Sequence, residues 1–257
     1  MEMTTIAPIR AFKDNYIWCL RRGTHAAVVD PGDAGPVFDY LRAEDLQLTA
    51  ILNTHHHADH VGGNAGLLSK YNVPVFGPAR EIIPAVTQKL AEGEEIEVPG
   101  IGLRQRVLDI PGHTAGHIAF YGDGMLLCGD TLFSCGCGRL FEGTPAQMLA
   151  SLQTLAALPT ETRVYCAHEY TLANIRFALA VEPGNVDLQA RAAAAAETRR
   201  RGEPTVPSTI GLELATNPFM RCDVPAVRDA AARREKGAET AALRTFAALR
   251  EWKNGFG

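Results

Sequence analysis

Thr54-His55-His56-His57-Ala58-Asp59-His60 places four imidazoles and a carboxylate within seven positions of a 257-residue chain, directly after the apolar run Thr49-Ala50-Ile51-Leu52. Burying such groups together is costly unless something pairs with them. A purification tag or a solvated histidine run does not fit, because the cluster is internal and follows an apolar segment. Along an extended or turning backbone His55 and His57 point the same way and can share one cation, whereas His56 points elsewhere. Asp59 and His60 follow as the chain turns into a helix, within reach of a second cation. His56 and His117 are expected to be structural, and His25 reads as an ordinary surface or core histidine.

Three more residues repeat the pattern of a short apolar run ending in a turn with a metal-binding side chain: His113 after Val107-Leu-Asp-Ile-Pro-Gly112, Asp130 after Met125-Leu-Leu-Cys-Gly129, and His168 after Val164-Tyr-Cys-Ala167. Strands of one sheet system can bring such ends to a single edge. Counting ligands gives two sites. His55, His57 and His113 make one, and Asp59, His60 and His168 make the other. Asp130 remains, with two carboxylate oxygens able to bridge them. Imidazole-rich sites with carboxylates suit zinc, iron and related first-row ions. Two such ions about 3.5 to 4 Å apart can activate water and polarise a carbonyl, and a coordination position left open separates a catalytic site from a closed structural one. The expected cofactor is two divalent ions per chain, zinc first, with iron or manganese also compatible.

The rest of the chain frames this cluster. The runs at 26–33, 49–57, 106–113, 125–130 and 163–168 are apolar and bounded by turn residues, so they read as buried strands. Helical patterns over 34–44 and 146–158 lie between some of them, which predicts an α/β arrangement with sheets covered by helices. After about residue 169 the composition becomes rich in Ala, Arg and Glu with helical spacing, including the run Ala192–Ala196, broken at Pro183-Gly184 and over 204–207. The expected division is therefore a catalytic domain at 1–169 and a smaller, mainly helical domain at 170–257. Residues 1–168 carry 12 Lys and Arg against 18 Asp and Glu, a net −6, whereas 169–257 carry 13 against 11, a net +2. An overall −4 argues against general nucleic-acid binding. No apolar run approaches the roughly 18 to 20 residues of a membrane span. The start MEMTTIAPIR has an acid at Glu2 and no long apolar stretch, so no signal peptide is expected. The six cysteines form no disulfide framework, and Cys135-Gly-Cys137 is too tight for a zinc knuckle. Reduced thiols in a cytoplasmic protein are expected.

With those residues in hand, the chain resembles the metallo-β-lactamase superfamily. The THHHADH stretch, Pro111-Gly-His113-Thr-Ala-Gly-His117, Gly129-Asp130 and Ala167-His168 stand in its order and approximate spacing. Within it, the chain is similar to the glyoxalase II (hydroxyacylglutathione hydrolase) family across nearly its whole length. The matching stretches are Asp14-Asn15-Tyr16-Ile17-Trp18, the loop Cys135-Gly-Cys-Gly-Arg139-Leu-Phe-Glu-Gly143, His168-Glu-Tyr170-Thr, Asn217-Pro-Phe-Met-Arg221 and Leu249-Arg-Glu-Trp-Lys253. The metal motif marks only the superfamily; the glycine loop and the C-terminal stretches are more specific.

The resemblance implies an αββα sandwich with metals at one edge, followed by a helical domain that helps bind glutathione. It also implies hydrolysis of S-D-lactoylglutathione to D-lactate and glutathione, the second step of methylglyoxal detoxification. Asp59 and Asp130 become catalytic as well as ligating residues. Arg139, Phe141, Tyr170, Arg250 and Lys253 become glutathione contacts. The family often has Lys at the position of Arg139 and Tyr at that of Phe141; Arg keeps the charge with a different geometry, and Phe lacks a hydroxyl donor. A glutathione thioester is the expected partner, with no nucleic acid, no membrane and a monomeric chain. The alternatives are a glutathione-persulfide dioxygenase or another metallo-hydrolase of the same fold.

On a helix over about 239–254, Leu243, Phe246 and Ala247 form an apolar stripe with Arg250 in it and Lys253 three residues on. Cations facing the protein body call for an anionic partner, either a peptide ligand with free carboxylates or an internal salt bridge. Asp30 is expected either to orient a ligating histidine or to cap the Pro31-Gly32 turn. Cys135 and Cys137 are expected as packed loop thiols, Asp14, Asn15 and Tyr16 as fixing an N-terminal turn and strand, and glycines 136, 138 and 143 as loop geometry.

Overall fold

The computed structural model describes residues 3–234 and 241–256, which fall into two compact units: residues 1–109 with 114–129, and residues 110–113 with 130–257.

The first unit holds ten strands. In chain order they are β1 (Thr5–Ala11), β2 (Asn15–Arg22), β3 (His25–Val29), β4 (Gln47–Leu52), β5 (Val75–Pro78), β6 (Gln88–Leu90), β7 (Glu95–Val98), β8 (Leu103–Asp109), β9 (Ile118–Gly122) and β10 (Met125–Gly129). The order β1-β2-β3-β4-β5-β6 makes one mixed sheet, antiparallel through β1, β2 and β3 and parallel from β3 onward. The strands β7 to β10 form an antiparallel meander. Six consecutive residues of β2, Asn15–Leu20, are buried, so that strand is covered on both faces. Helix α1 (Ala34–Ala43) makes the crossover from β3 to β4. Asp33 caps it by accepting from the Gly35 N–H at 2.9 Å. Its Val37 and Leu41 sink into a core with Ile9, Ile17, Cys19, Val28 and Leu48. Each fully buried aliphatic side chain of this kind contributes about 1.5 to 3 kcal/mol. Two short helices follow β4: α2 (Ala58–Val61) and α3 (Asn64–Leu68).

Because β3 and β4 run parallel, with Val29 opposite Leu52, their C-terminal ends emerge side by side. The Asp30 N–H donates to the Leu52 carbonyl at 2.8 Å. The segments after β3 and β4 are thereby locked together before either reaches its turn. The expected strands at 26–33, 49–57, 106–113 and 125–130 correspond to β3, β4, β8 and β10. Each stops one to four residues before its candidate ligand.

The second unit opens with a small hairpin, β11 (Leu132–Phe133) paired with β12 (Gly136–Cys137). After it come α4 (Pro145–Ala156), β13 (Arg163–Cys166), α5 (Thr171–Val181), α6 (Val186–Arg200), β14 (Ser208–Thr209), α7 (Ile210–Thr216), a single 3₁₀ turn at Pro218–Met220, α8 (Pro225–Ala232) and α9 (Ala241–Asn254). Thr144 and Gln147 form a reciprocal capping box at the start of α4. Phe177, Phe219 and Phe246 are fully buried, stacked or edge-on at 5.7 to 5.8 Å between centroids, and they join α5, the 3₁₀ turn and α9. The expected apolar stripe on α9 is present: Phe246, Leu249 and Arg250 are buried, and Leu243 and Ala247 are partly so. Residues 239 and 240 of that expectation lie outside the described residues.

Candidate metal centre

The expected ligands divide between the units. His55, His57, Asp59 and His60 lie in the first, and His113, Asp130 and His168 in the second.

In the first unit, His55 and His60 are buried, and His57 and Asp59 are partly exposed. His55 Nε2 is 3.1 Å from His57 Nδ1. Two nitrogens bound at about 2.05 Å to one tetrahedral ion lie roughly 3.3 Å apart, so this separation suits a shared cation. The opposite faces of the rings are engaged by neighbours. His55 Nδ1 is 3.0 Å from the Thr54 hydroxyl, and the His55 ring stacks on His117 at 4.5 Å. His60 Nδ1 is 3.2 Å from Asp30 Oδ2, and its Nε2 is 3.6 Å from Asp59 Oδ2. Asp30 also accepts from the Thr54 N–H at 2.8 Å and the Thr54 hydroxyl at 2.7 Å. The hydrogen bonds to the Asp30 carboxylate thus come from Thr54, and His60 lies within ion-pair distance of it. Asp30 has φ 52°, a left-handed conformation that turns the chain sharply off β3. Asp30, His55 and His60, all buried, bring one ligand atom each within 4.8 Å of one another.

Two partners in this unit were not read from the sequence as such, Asn15 having been expected only to fix an N-terminal turn and strand. Asn15, 8% exposed, donates its amide to Asp59 Oδ2 at 3.0 Å. Glu81 accepts from the Thr114 hydroxyl and from the Gly116 N–H, and its other oxygen is 2.9 Å from His56 Nδ1. His56 thus directs Nδ1 to Glu81 while its ring meets His57 edge-on at 5.1 Å, and His117, fully buried, has Nδ1 3.0 Å from the Ile118 carbonyl.

In the second unit, Asp130 Oδ2 is 3.4 Å from His113 Nε2 and 3.4 Å from His168 Nε2. Both distances again suit ligands sharing a cation, and one oxygen is the common vertex. His113 Nδ1 is 2.9 Å from the Arg139 carbonyl, an acceptor that fixes the proton on Nδ1 and leaves the Nε2 lone pair available. The His168 ring stacks on Tyr170 at 4.8 Å with a 5° tilt and meets the edge of Phe133.

The remaining expected contacts also lie in the second unit. Phe141 is 63% exposed and edge-on to His113 at 5.3 Å. The Arg139 and Tyr170 side chains are exposed. Arg250, 5% exposed, donates Nη1 to the Cys137 carbonyl at 2.8 Å and the Gly138 carbonyl at 3.3 Å. Within the protein, backbone carbonyls receive that guanidinium. Lys253 donates to the Ala173 carbonyl at 3.2 Å. Burial, with the Arg250 and Arg176 charges nearby, pushes its pKa down to about 8.

All six cysteines are buried and reduced. Burial pushes the thiols of Cys19, Cys135 and Cys166 up to about 12 and raises those of Cys137 and Cys222 as well, so none of these five is a ready thiolate. Among the described residues, no helix is long and apolar enough to cross a membrane.

Residues 12–168 match the family model described as metallo-beta-lactamase superfamily, and residues 169–256 match the one described as hydroxyacylglutathione hydrolase C-terminus. The hydroxyacylglutathione hydrolase of Alkalilimnicola ehrlichii is 59% identical over 254 residues, covering 98% of this chain and 99% of its own. That of Nitrosomonas eutropha is 52% identical over 254 residues, covering 99% and 100%. Among solved structures, TTHA1623 in a di-iron-bound form is similar over 85% of this chain and 99% of its own, with 28% identity and a TM-score of 0.57.

Proposed function

The chain belongs to the hydroxyacylglutathione hydrolase family of the metallo-beta-lactamase superfamily, and from that premise we propose that it hydrolyses S-D-lactoylglutathione and related 2-hydroxyacyl thioesters to the hydroxy acid and glutathione. Carrying this reading is the joint presence of the full ligand set and a C-terminal segment matching the family's own over residues 169–256, in a chain that spans its relatives end to end. Residues 1–169 are the catalytic domain and 170–257 the glutathione-binding domain. His55, His57, Asp59 and His60, and likewise His113, Asp130 and His168, are imidazole and carboxylate donors that would hold divalent cations. Zinc is the first choice, with iron or manganese compatible with the same donors.

When bound there, divalent cations lower the pKa of a coordinated water toward neutrality and polarise a carbonyl oxygen. The chain's own residues hold the geometry. The Arg139 carbonyl fixes the outward nitrogen of His113, and the Asp30 carboxylate lies 3.2 Å from that of His60. Asn15 holds Asp59, whose carboxylate orients the attacking water. Asp130 keeps one oxygen toward both His113 and His168. Arg139, Phe141, Tyr170 and Lys253 meet the glutathione peptide, and Arg250 meets it while holding the loop beneath. Water adds at the acyl carbon, the C–S bond breaks, and the sulfur leaves with its electron pair to become the glutathione thiol. No protein nucleophile is required. The protein acts as a cytoplasmic monomer.

The test is loss of thioester absorbance from S-D-lactoylglutathione with as-isolated, metal-stripped and zinc- or iron-reconstituted protein. Turnover that vanishes on stripping and returns on reconstitution is expected. A folded, fully metallated protein without turnover would reject the substrate.

A further inference from the structure

Within the second unit, a buried ion pair remote in sequence from the candidate ligands grips the hairpin that leads into the support of one of them. Glu213, on α7, is fully buried, and Arg191, on α6, is 8% exposed. Both Glu213 oxygens are occupied. Oε1 accepts from Arg191 Nη2 at 2.5 Å and from the Ser208 hydroxyl; Oε2 accepts from the Cys135 N–H at 2.8 Å and from Asn217 Nδ2 at 2.9 Å. A buried ion pair is a weak source of stability in itself, and an apolar replacement of similar shape is often neutral or better. What this pair does that an apolar pair does not is hold the β11–β12 hairpin by its backbone.

Cys135 is the second residue of that hairpin's two-residue turn and sits at φ 59°, a conformation unfavourable for any residue with a Cβ. Neighbouring helices complete the grip. Asn217 donates to the Gly136 carbonyl, Asn174 to the Ser134 carbonyl, and Arg191 to the Ser134 hydroxyl. From the hairpin's exit strand, Cys137 and Gly138 offer their carbonyls to Arg250, and the next residue, Arg139, offers its carbonyl to His113 Nδ1. Space here is tight, since a Cβ on Gly138 would lie 2.0 Å from the Asp130 carbonyl oxygen.

We propose that Glu213 is a positioning residue: by clamping the 132–137 hairpin it sets the Arg139 carbonyl that orients His113 and the Cys137 and Gly138 carbonyls that orient Arg250. The helical segment then serves the metal centre as well as the peptide. This inference rests on the reading of His113 and Asp130 as ligands.

The experiment compares Glu213→Gln, Asn217→Ala and Ser208→Ala with the wild-type full-length chain. The readouts are amide hydrogen exchange over residues 132–139, zinc affinity by competition with a chromophoric chelator, KM at saturating zinc, and melting temperature. Glutamine cannot accept from Arg191 and Cys135 together without turning its NH2 toward a donor. The expected result for Glu213→Gln is exchange over 132–139 faster by at least about tenfold, zinc binding weaker by about 10- to 100-fold, and KM raised. Asn217→Ala, which removes the bond to the Gly136 carbonyl together with those to Glu213 and the Phe219 N–H while leaving the Glu213–Arg191 pair in place, moves the same readouts in the same direction and decides the matter if Glu213→Gln does not fold. Ser208→Ala touches the far side of the pair and lowers only the melting temperature. Lower melting temperatures in Glu213→Gln and Asn217→Ala, with exchange, zinc affinity and KM unchanged, would overturn the proposal. A wild-type chain that binds no zinc would overturn the ligand reading instead, and the exchange data would still judge the clamp.

Discussion

Replacing Asn15 by Ala removes one defined contact from the candidate centre. Asn15 Nδ2 lies 3.0 Å from Asp59 Oδ2 and 3.4 Å from the Asp59 carbonyl, and Asn15 itself is 8% exposed. A hydrogen bond to a charged group is worth about 1.5 to 3 kcal/mol net. At about 1.4 kcal/mol per decade that corresponds to roughly 10- to 150-fold in any quantity that depends on where Asp59 points. The Asp59 side chain is 44% exposed, so water takes over part of the lost bond. This moves the expectation to the lower part of the range, about 10- to 30-fold. The loss is expected in zinc affinity, measured by chelator competition, and in kcat/KM for the thioester, with little change in melting temperature. Asn15→Asp keeps the size but sets a carboxylate against a carboxylate, and is expected to lose more than Asn15→Ala. If Asn15→Ala stays within about twofold of wild type in both zinc affinity and kcat/KM, Asn15 does not orient Asp59 and the reasoning fails.

Three other perturbations test separate parts of the account. Lys253 has its pKa pushed down to about 8, so its charge is lost as pH rises through that value. KM for the anionic thioester is expected to climb above about pH 8 in wild type and to stay flat in Lys253→Arg, where the cation persists. The same shift sets a stability slope. Between about 8 and the unfolded value of about 10.4 the unfolded chain binds more protons than the folded one, so this group makes denaturant stability rise with pH in that window. Phe141→Tyr restores a hydroxyl on a ring that is 63% exposed. KM is expected to fall by about 2- to 10-fold, the worth of one net hydrogen bond, with an unchanged melting temperature. Gly138→Ala forces a Cβ to within 2.0 Å of the Asp130 carbonyl oxygen. Displacement of Asp130 is expected to cost at least about tenfold in zinc affinity, read by the same competition assay.

The parts of the centre that could be read from the sequence were those carried by local pattern. Four imidazoles and Asp59 in seven residues, and three more ligands each just past an apolar run, need no knowledge of the fold, because strand ends are where a chain leaves the core and turns. Strands β3, β4, β8, β10 and β13 accordingly match the apolar runs. What escaped was the partner of each ligand. Asn15 reaches Asp59 across 44 positions, and His113 reaches a carbonyl 26 positions away at Arg139. Nothing in the local sequence of either residue encodes that meeting. Arg250 is the instructive case. A cation within an apolar stripe suggested a ligand carboxylate or an internal salt bridge, and did not announce that its Nη1 also lies on the carbonyls of Cys137 and Gly138. Backbone carbonyls are present at every residue and leave no mark in a sequence. The short helices α7 and α8 were missed for another reason, being seven and eight residues long and too brief to establish a period.

The most direct test of the account is to titrate zinc into metal-free protein while counting bound ions and following thioester hydrolysis in the same samples, for wild type and for Asp130→Ala. The account predicts two ions per chain in wild type, full turnover only when both are bound, and a variant that holds at most one ion tightly and is inactive. A wild-type chain fully active with a single ion, or an Asp130→Ala chain that binds two and turns over normally, would contradict it.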